Sequence, residues 1–236
     1  MIPNLPQFIE WTFALTTLLT LIMLVNAIRK SEVESTRKKV IPTVIIVLVW
    51  LGIQAAITLN GVYNTNTDSF PPKLVLLGIL PAIVAIVVTM TSKGGKRLVD
   101  SLPLRHITWI NIVRIPVELC LYWLFVNKAV PELMTFEGRN WDILSGISAP
   151  IIILLAFRNG KIKRGLLLLW NVLCLLLLLN IVTNALLSAP FPIQKFAFEQ
   201  PNIAIINFPF SWLPTFIVPI VLFGHLVSIR QLIRNK

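Results

Sequence analysis

The chain has 236 residues, a formal net charge of +11 and a mean hydropathy of +0.81. With 56% hydrophobic and 13% charged residues it carries about half the charge of a soluble domain, which is roughly 25% charged, too little to cover a water-soluble surface. Its basic residues sit in short clusters between apolar runs, which reads as membrane topology signalling and excludes a nucleic-acid partner.

A run of about 20 apolar residues crosses the hydrocarbon core as a helix, because every backbone polar group must be satisfied within the segment. In chain order such runs predict spans over 8–28, 40–60, 73–92, 106–127, 141–157, 165–187 and 212–230. The expected fold class is an all-α integral membrane protein, a single transmembrane domain over 1–236 built as a bundle of about seven helices with no soluble domain. The first run has no basic stretch before it and no small-residue cleavage site after it, so it reads as a retained helix and not as a signal peptide. Pro71-Pro72 and Lys93-Gly94-Gly95-Lys96 punctuate the third span. The fifth span is the shortest. The longest outer connection, about 188–211, carries Pro190, Pro192, Pro201 and Pro209 among five phenylalanines and suits the membrane interface, where aromatic rings sit well.

Lys and Arg distribute unequally between the two sides. Sixteen fall on one side, from Arg29 and Lys30 to Arg234 and Lys236, and four on the other, Lys73, Lys128, Arg139 and Lys195. Basic loops face the cytoplasm, so the N-terminus is expected outside and the C-terminus in the cytoplasm. The expected localisation is a cell inner membrane, with the lipid bilayer as the main partner.

Ionisable residues inside a span cost roughly 2.5–3.5 kcal/mol on insertion scales and mark functional sites. The fourth span holds Asn111, Arg114, Glu118 and Tyr122 at spacings that place them on one helical stripe. Arg114 and Glu118 stand four apart and can pair directly. Either they fix packing or they form a site for a ligand, an ion or a proton. Thr135–Asp142 concentrates charge, Gly and Trp before the fifth span. There Asp142 suits helix capping and a local pair with Arg139, or both residues line the mouth of a polar cavity. Ser145, Gly146 and Ala149 read as close helix packing. Asn180 and Asn184 share a face in the outer half of the sixth span, with Asn171 nearly opposite. Glu10, Gln54 and Asn60 also lie toward the outer side. The expected ligand or ion site is therefore Asn111, Arg114, Glu118, Tyr122, Arg139, Asp142, Asn180 and Asn184.

No cofactor and no metal is expected. His106 and His225 sit at different helix ends without a shared stripe, which points away from a shared metal, although two axial imidazoles can hold a haem. Cys120 and Cys174 lie in apolar runs as small hydrophobic fillers. Phosphate-loop, zinc-protease and serine-hydrolase motifs are missing, and the seventh span has no lysine for a retinal Schiff base.

Seven helices with an outer N-terminus resemble in topology the small sugar-transporting SWEET and PQ-loop families, which are built from parallel repeats. Helices 1–3 and 5–7 show no internal match here, so no residue role is carried over. Phe136–Pro150 (FEGRNWDILSGISAP), Trp212–Pro219 (WLPTFIVP) and Ser228–Gln231 are similar to segments of uncharacterised bacterial membrane proteins. That resemblance implies a bacterial inner membrane and supplies no activity. The expected function is binding or transport of a small solute, ion or proton through the polar site of the fourth span. Alternatives are a subunit or assembly partner of a membrane complex, a homo-oligomer among them, and a haem-binding or intramembrane enzyme.

Overall fold

The computed structural model describes residues 2–158 and 160–234. Helices α1 (Gln7–Arg29), α2 (Glu34–Arg37) and α3 (Val40–Leu59) come first. A π-helical turn, Val75–Ile79, runs into α4 (Leu80–Thr91), and α5 (Lys93–Ser101) turns away from it by 85°. Helix α6 (Leu104–Trp109) continues through a 3-10 turn, Ile110–Val113, into α7 (Arg114–Val126). Helix α8 (Ile143–Ala156) ends in a small antiparallel hairpin, β1 (Phe157–Arg158) with β2 (Lys161–Ile162), which leads to α9 (Arg164–Ser188). A second π-helical turn, Leu213–Ile217, opens α10 (Val218–Arg234).

Among the described residues the protein is all-α apart from that hairpin. Among the same described residues, five helical segments are long and apolar enough to cross a membrane, or six if the bent α4–α5 pair counts as one span. Large apolar side chains such as Leu15, Ile22, Ile46 and Leu154 face outward, as a lipid-facing surface requires. The core lies where α1, α7 and α10 meet, around Phe13, Val113, Leu121, Phe210 and Val227.

The run expected over 141–157 differs. Its helix, α8, has 14 residues and is roughly 21 Å long at about 1.5 Å per residue, short of the ~30 Å hydrocarbon core. The chain before it folds inward, so α8 begins beside Arg114, midway along the Leu104–Val126 segment. Irregular backbone at that depth is tolerated where protein buries it, and Ala129, Val130, Met134 and Asn140 are all buried. The 188–211 connection covers this stretch. Ile203 and Ala204 donate backbone N–H bonds to the Ala129 carbonyl at 3.1 and 3.2 Å, and Gln200 Nε2 donates to the Val130 carbonyl at 2.6 Å. Phe191 and Phe210 are buried and Phe198 is exposed, so only part of this aromatic segment faces outward.

Two prolines explain the π-helical turns. Proline has no N–H for the carbonyl four residues earlier. Pro81 thereby frees the Leu77 carbonyl and Pro219 frees that of Thr215. Helix α3 answers both: Gln54 Nε2 donates to Leu77 O at 3.1 Å and Trp50 Nε1 to Thr215 O at 2.9 Å. Gln54 and Trp50 stand four apart on one face of α3, so one helix stitches both breaks. Tyr63, in the connection after α3, donates its hydroxyl to Gln54 Oε1 at 2.5 Å, and burial pushes that hydroxyl up to about 12 against the opposing hydrogen bond.

Helix α5 is amphipathic. Val99 is buried while Lys93, Lys96 and Arg97 are exposed. Asp100 accepts from Arg230 at 2.9 and 3.2 Å and also pairs with Arg234. The Arg230 hydrogen bond holds the Asp100 carboxyl below its ordinary value, partly opposed by burial. A lowered folded value contributes stability above the unfolded value, near 3.9, and that contribution is lost as the pH falls through the folded value. The parent and Asp100→Asn should therefore differ in melting temperature at about pH 7 and converge below about pH 4. Thermal unfolding in mild detergent across that range checks it.

Candidate functional site

Buried polar side chains from α7, the stretch leading into α8, α9 and α10 meet in one hydrogen-bonded network. Arg114 opens α7 and is 3% exposed. Its Nη1 donates to Asp142 Oδ1 at 2.9 Å and to the Cys174 carbonyl at 3.4 Å. Its Nη2 lies 3.0 Å from His225 Nε2. A guanidinium only donates, so His225 Nε2 accepts and its ring proton sits on Nδ1. That nitrogen lies 2.9 Å from Asn171 Oδ1 and donates to it, while Asn171 Nδ2 donates to the Leu167 carbonyl at 2.8 Å. The hydrogen-bond pattern thus fixes His225 as neutral imidazole.

The other branch runs through Asn140. Its Oδ1 accepts from the Asp142 backbone N–H at 3.0 Å, and its Nδ2 donates to Glu118 Oε2 at 2.6 Å and to the Met134 carbonyl at 2.9 Å. Asn140, Glu118 and Asp142 are all buried. Gly146 lets α8 approach closely enough for this: a Cβ there would lie 2.8 Å from Ile115 Cγ1 and 3.3 Å from Arg114 Cβ. The small residues Ser145 and Ala149 of α8 are buried with Gly146.

Arg114 and Glu118 do not pair with each other. In a helix, side chains lean toward the N-terminus, and a cation placed N-terminal to a carboxylate four residues on is the poorer order. Arg114 therefore turns to Asp142 and His225. The pair expected between Asp142 and Arg139 is replaced as well. Arg139 is exposed, with its guanidinium 5.8 Å from the centre of the Phe196 ring. Asp142 makes no side-chain capping bond to α8, because its carboxylate is directed at Arg114.

Of the eight residues singled out, Arg114, Glu118 and Asp142 share the network. Asn111 is buried one turn before Arg114, donating to the Thr108 carbonyl. Tyr122 stacks on Phe136 with ring centres 5.1 Å apart. Asn180 donates to the Arg139 carbonyl at 2.8 Å and accepts from Asn184 at 3.3 Å, tying α9 to the loop away from the network. Asn140, Asn171 and His225 belong to the centre although none was among the expected site residues. Their signal in the sequence was polarity within apolar surroundings, which does not name a partner.

Fold and network together define a polytopic helical membrane protein with a charged centre enclosed between its helices. The chain belongs to the family described as domain of unknown function DUF8737, which matches residues 71–233 and so takes in every member of the network. No curated protein and no solved structure matches it.

Proposed function

We propose that Glu118 is a proton-binding centre through which the protein binds or moves a proton, alone or together with a small solute or ion. The balance of charge carries this reading. The network holds one cation, Arg114, and two carboxylates. Asp142 answers Arg114, and His225 is neutral. The one hydrogen-bond donor to Glu118 among the described residues is the Asn140 amide. An ionised Glu118 leaves one uncompensated buried negative charge, which is costly. A proton on the carboxyl removes it with no rearrangement of the network. A hard metal ion takes six or more oxygen ligands, whereas the neighbouring Met134 carbonyl is already engaged by the same amide. Arg114 Nε, Asn111 Oδ1 and Ser228 Oγ are also buried without a partner among the described residues. A haem on His225 is disfavoured, since both ring nitrogens are engaged.

In this reading the chain crosses a bacterial inner membrane seven times with its N-terminus outside. The irregular stretch 127–142 and α8 together form one crossing. The charge asymmetry of the loops supports the orientation. Reporter fusions after Lys38, Gly95 and Lys161 should report cytoplasm, and fusions after Asn66, Leu133 and Ala197 the outside. A reproducible reversal at one loop removes a crossing.

Difference infrared spectroscopy between acid and alkaline buffer tests the centre. The parent should show the carbonyl stretch of a protonated carboxylic acid, and Glu118→Gln, which keeps an acceptor for Asn140, should lose it while remaining folded. The same band in a folded Glu118→Gln protein overturns the assignment.

A further inference from the structure

Helices α3 and α4 follow each other in the chain but do not pack along each other. A groove of about 320 Å³ lies between them, within the range of ligand cavities, roughly 300–1,000 Å³. Ile46 and Trp50 of α3, Ala82 and Ala85 of α4, and Phe216 and Phe223 from the α10 segment form its walls. Ile46 is 67% exposed and Ala85 is exposed, so the groove opens sideways to lipid. The apolar side of α5 closes one end through Leu98.

That end is strongly basic. Lys39, at the start of α3, donates its amine to the Gly94 carbonyl in the first turn of α5 at 3.3 Å. Lys93, Lys96 and Arg97 follow on α5. Of the acids on this side, Glu34 pairs with Lys38 at 2.9 Å and Asp100 pairs with Arg230 and Arg234, which leaves Glu32, in the connection before α2, as the one acid without a basic partner among the described residues. Lys39, Lys93, Lys96 and Arg97 have no acidic partner among the described residues. The positive end of the α5 dipole adds to the same field.

An alkyl-sized slot that opens into the bilayer beneath a surplus of cations fits one kind of molecule. We propose that the groove is a binding site for an anionic phospholipid of the basic-side leaflet, with an acyl chain between α3 and α4 and its phosphate against Lys39 and Lys93. The bilayer itself is as apolar as the groove, so the chain alone gives little selectivity. Selectivity comes from the head: each basic side chain near an anionic lipid contributes about fivefold. This inference rests on the membrane-embedded fold and does not depend on the proton reading of Glu118.

Native mass spectrometry of delipidated protein in mild detergent, titrated with phosphatidylglycerol or phosphatidylcholine, tests it. The expected result is one phosphatidylglycerol bound at least about tenfold more tightly than phosphatidylcholine. Ala85→Phe, at an exposed position, fills the groove and should abolish the tight adduct without lowering the melting temperature of lipid-free protein. Lys39→Gln with Lys93→Gln leaves the groove open and should cut the preference between the two lipids by about tenfold or more. Equal affinity for both lipids in the parent overturns the proposal, as does an undiminished adduct in Ala85→Phe. Glycerol phosphate competing as tightly as the intact lipid also overturns it, because the acyl chain then adds nothing.

Discussion

Replacing Arg114 with Met should destabilise the protein by about 3–5 kcal/mol, the cost of breaking a buried ion pair from one side. The guanidinium reaches three elements at once: Asp142 before α8, the Cys174 carbonyl of α9 and His225 of α10. Met has a similar length and fills the space, so the loss reports charge and hydrogen bonding and not a cavity. It strands Asp142, whose side chain is 6% exposed, without its cation. Replacing both partners behaves differently. Buried ion pairs are often exchanged for apolar pairs at little net cost, so Arg114→Met with Asp142→Leu should recover most of the loss. Arg114→Lys should fall between, since an ammonium keeps the charge but not the planar fork that serves Asp142 and His225 together. Equilibrium unfolding in mixed micelles by added denaturing detergent measures all three. A loss below about 1 kcal/mol for Arg114→Met, the level of an exposed pair, would mean that Asp142 is hydrated.

The sequence made the membrane class and the helix carrying the charged centre legible, and it left the partners unread, for physical reasons. Apolar runs follow from composition alone, and the first, second, fourth, sixth and seventh expected spans coincide with long apolar helices. The fifth coincides with the shorter helix α8, and its depth was not legible because hydropathy carries none. Arg139, Trp141 and Asp142 resembled a membrane boundary, yet Asp142 lies buried beside Arg114. Spacing placed Arg114 and Glu118 on one helix, which is local information. It did not give Asp142, 28 residues away, or His225, 111 residues away, because those approaches depend on how α8 and α10 pack.

The prolines divide in the same way. Pro81 and Pro219 each announce a freed carbonyl, and the chain rule gives its position as four residues earlier. That Gln54 and Trp50 of one helix answer both is a fact of packing. Gln54 stood out in the sequence as a polar residue in an apolar span, and its role is structural. Glu118 stood out in the same way, but its carboxyl meets an amide instead of a cation. The difference between the two is the charge left over after each polar group has been matched, and that can be counted only once partners are known.

Asn140→Leu should cost as much as the Arg114 replacement, although Asn140 bears no charge. One side chain of almost the same size as Leu serves three buried groups: the Glu118 carboxyl, the Met134 carbonyl and the Asp142 backbone N–H. Each buried group left unpaired costs about 1–3 kcal/mol, so the sum reaches several kcal/mol. Asn140→Asp separates the contributions. It retains an acceptor for the Asp142 N–H but removes the donor and sets a second carboxyl against Glu118, within the 2.6 Å contact that the amide now makes. Two carboxyl groups that close must share a proton, so Asn140→Asp should be tolerated in acid and lose stability as the pH rises. Adding Glu118→Leu to Asn140→Leu removes one stranded group, and the double variant should be more stable than Asn140→Leu alone. The interaction energy from the four-protein cycle, read by unfolding in mixed micelles, should fall within about 0.5–3 kcal/mol. Additive losses would show that Glu118 finds another partner when Asn140 is gone, and the charge balance at this centre would then have to be recounted.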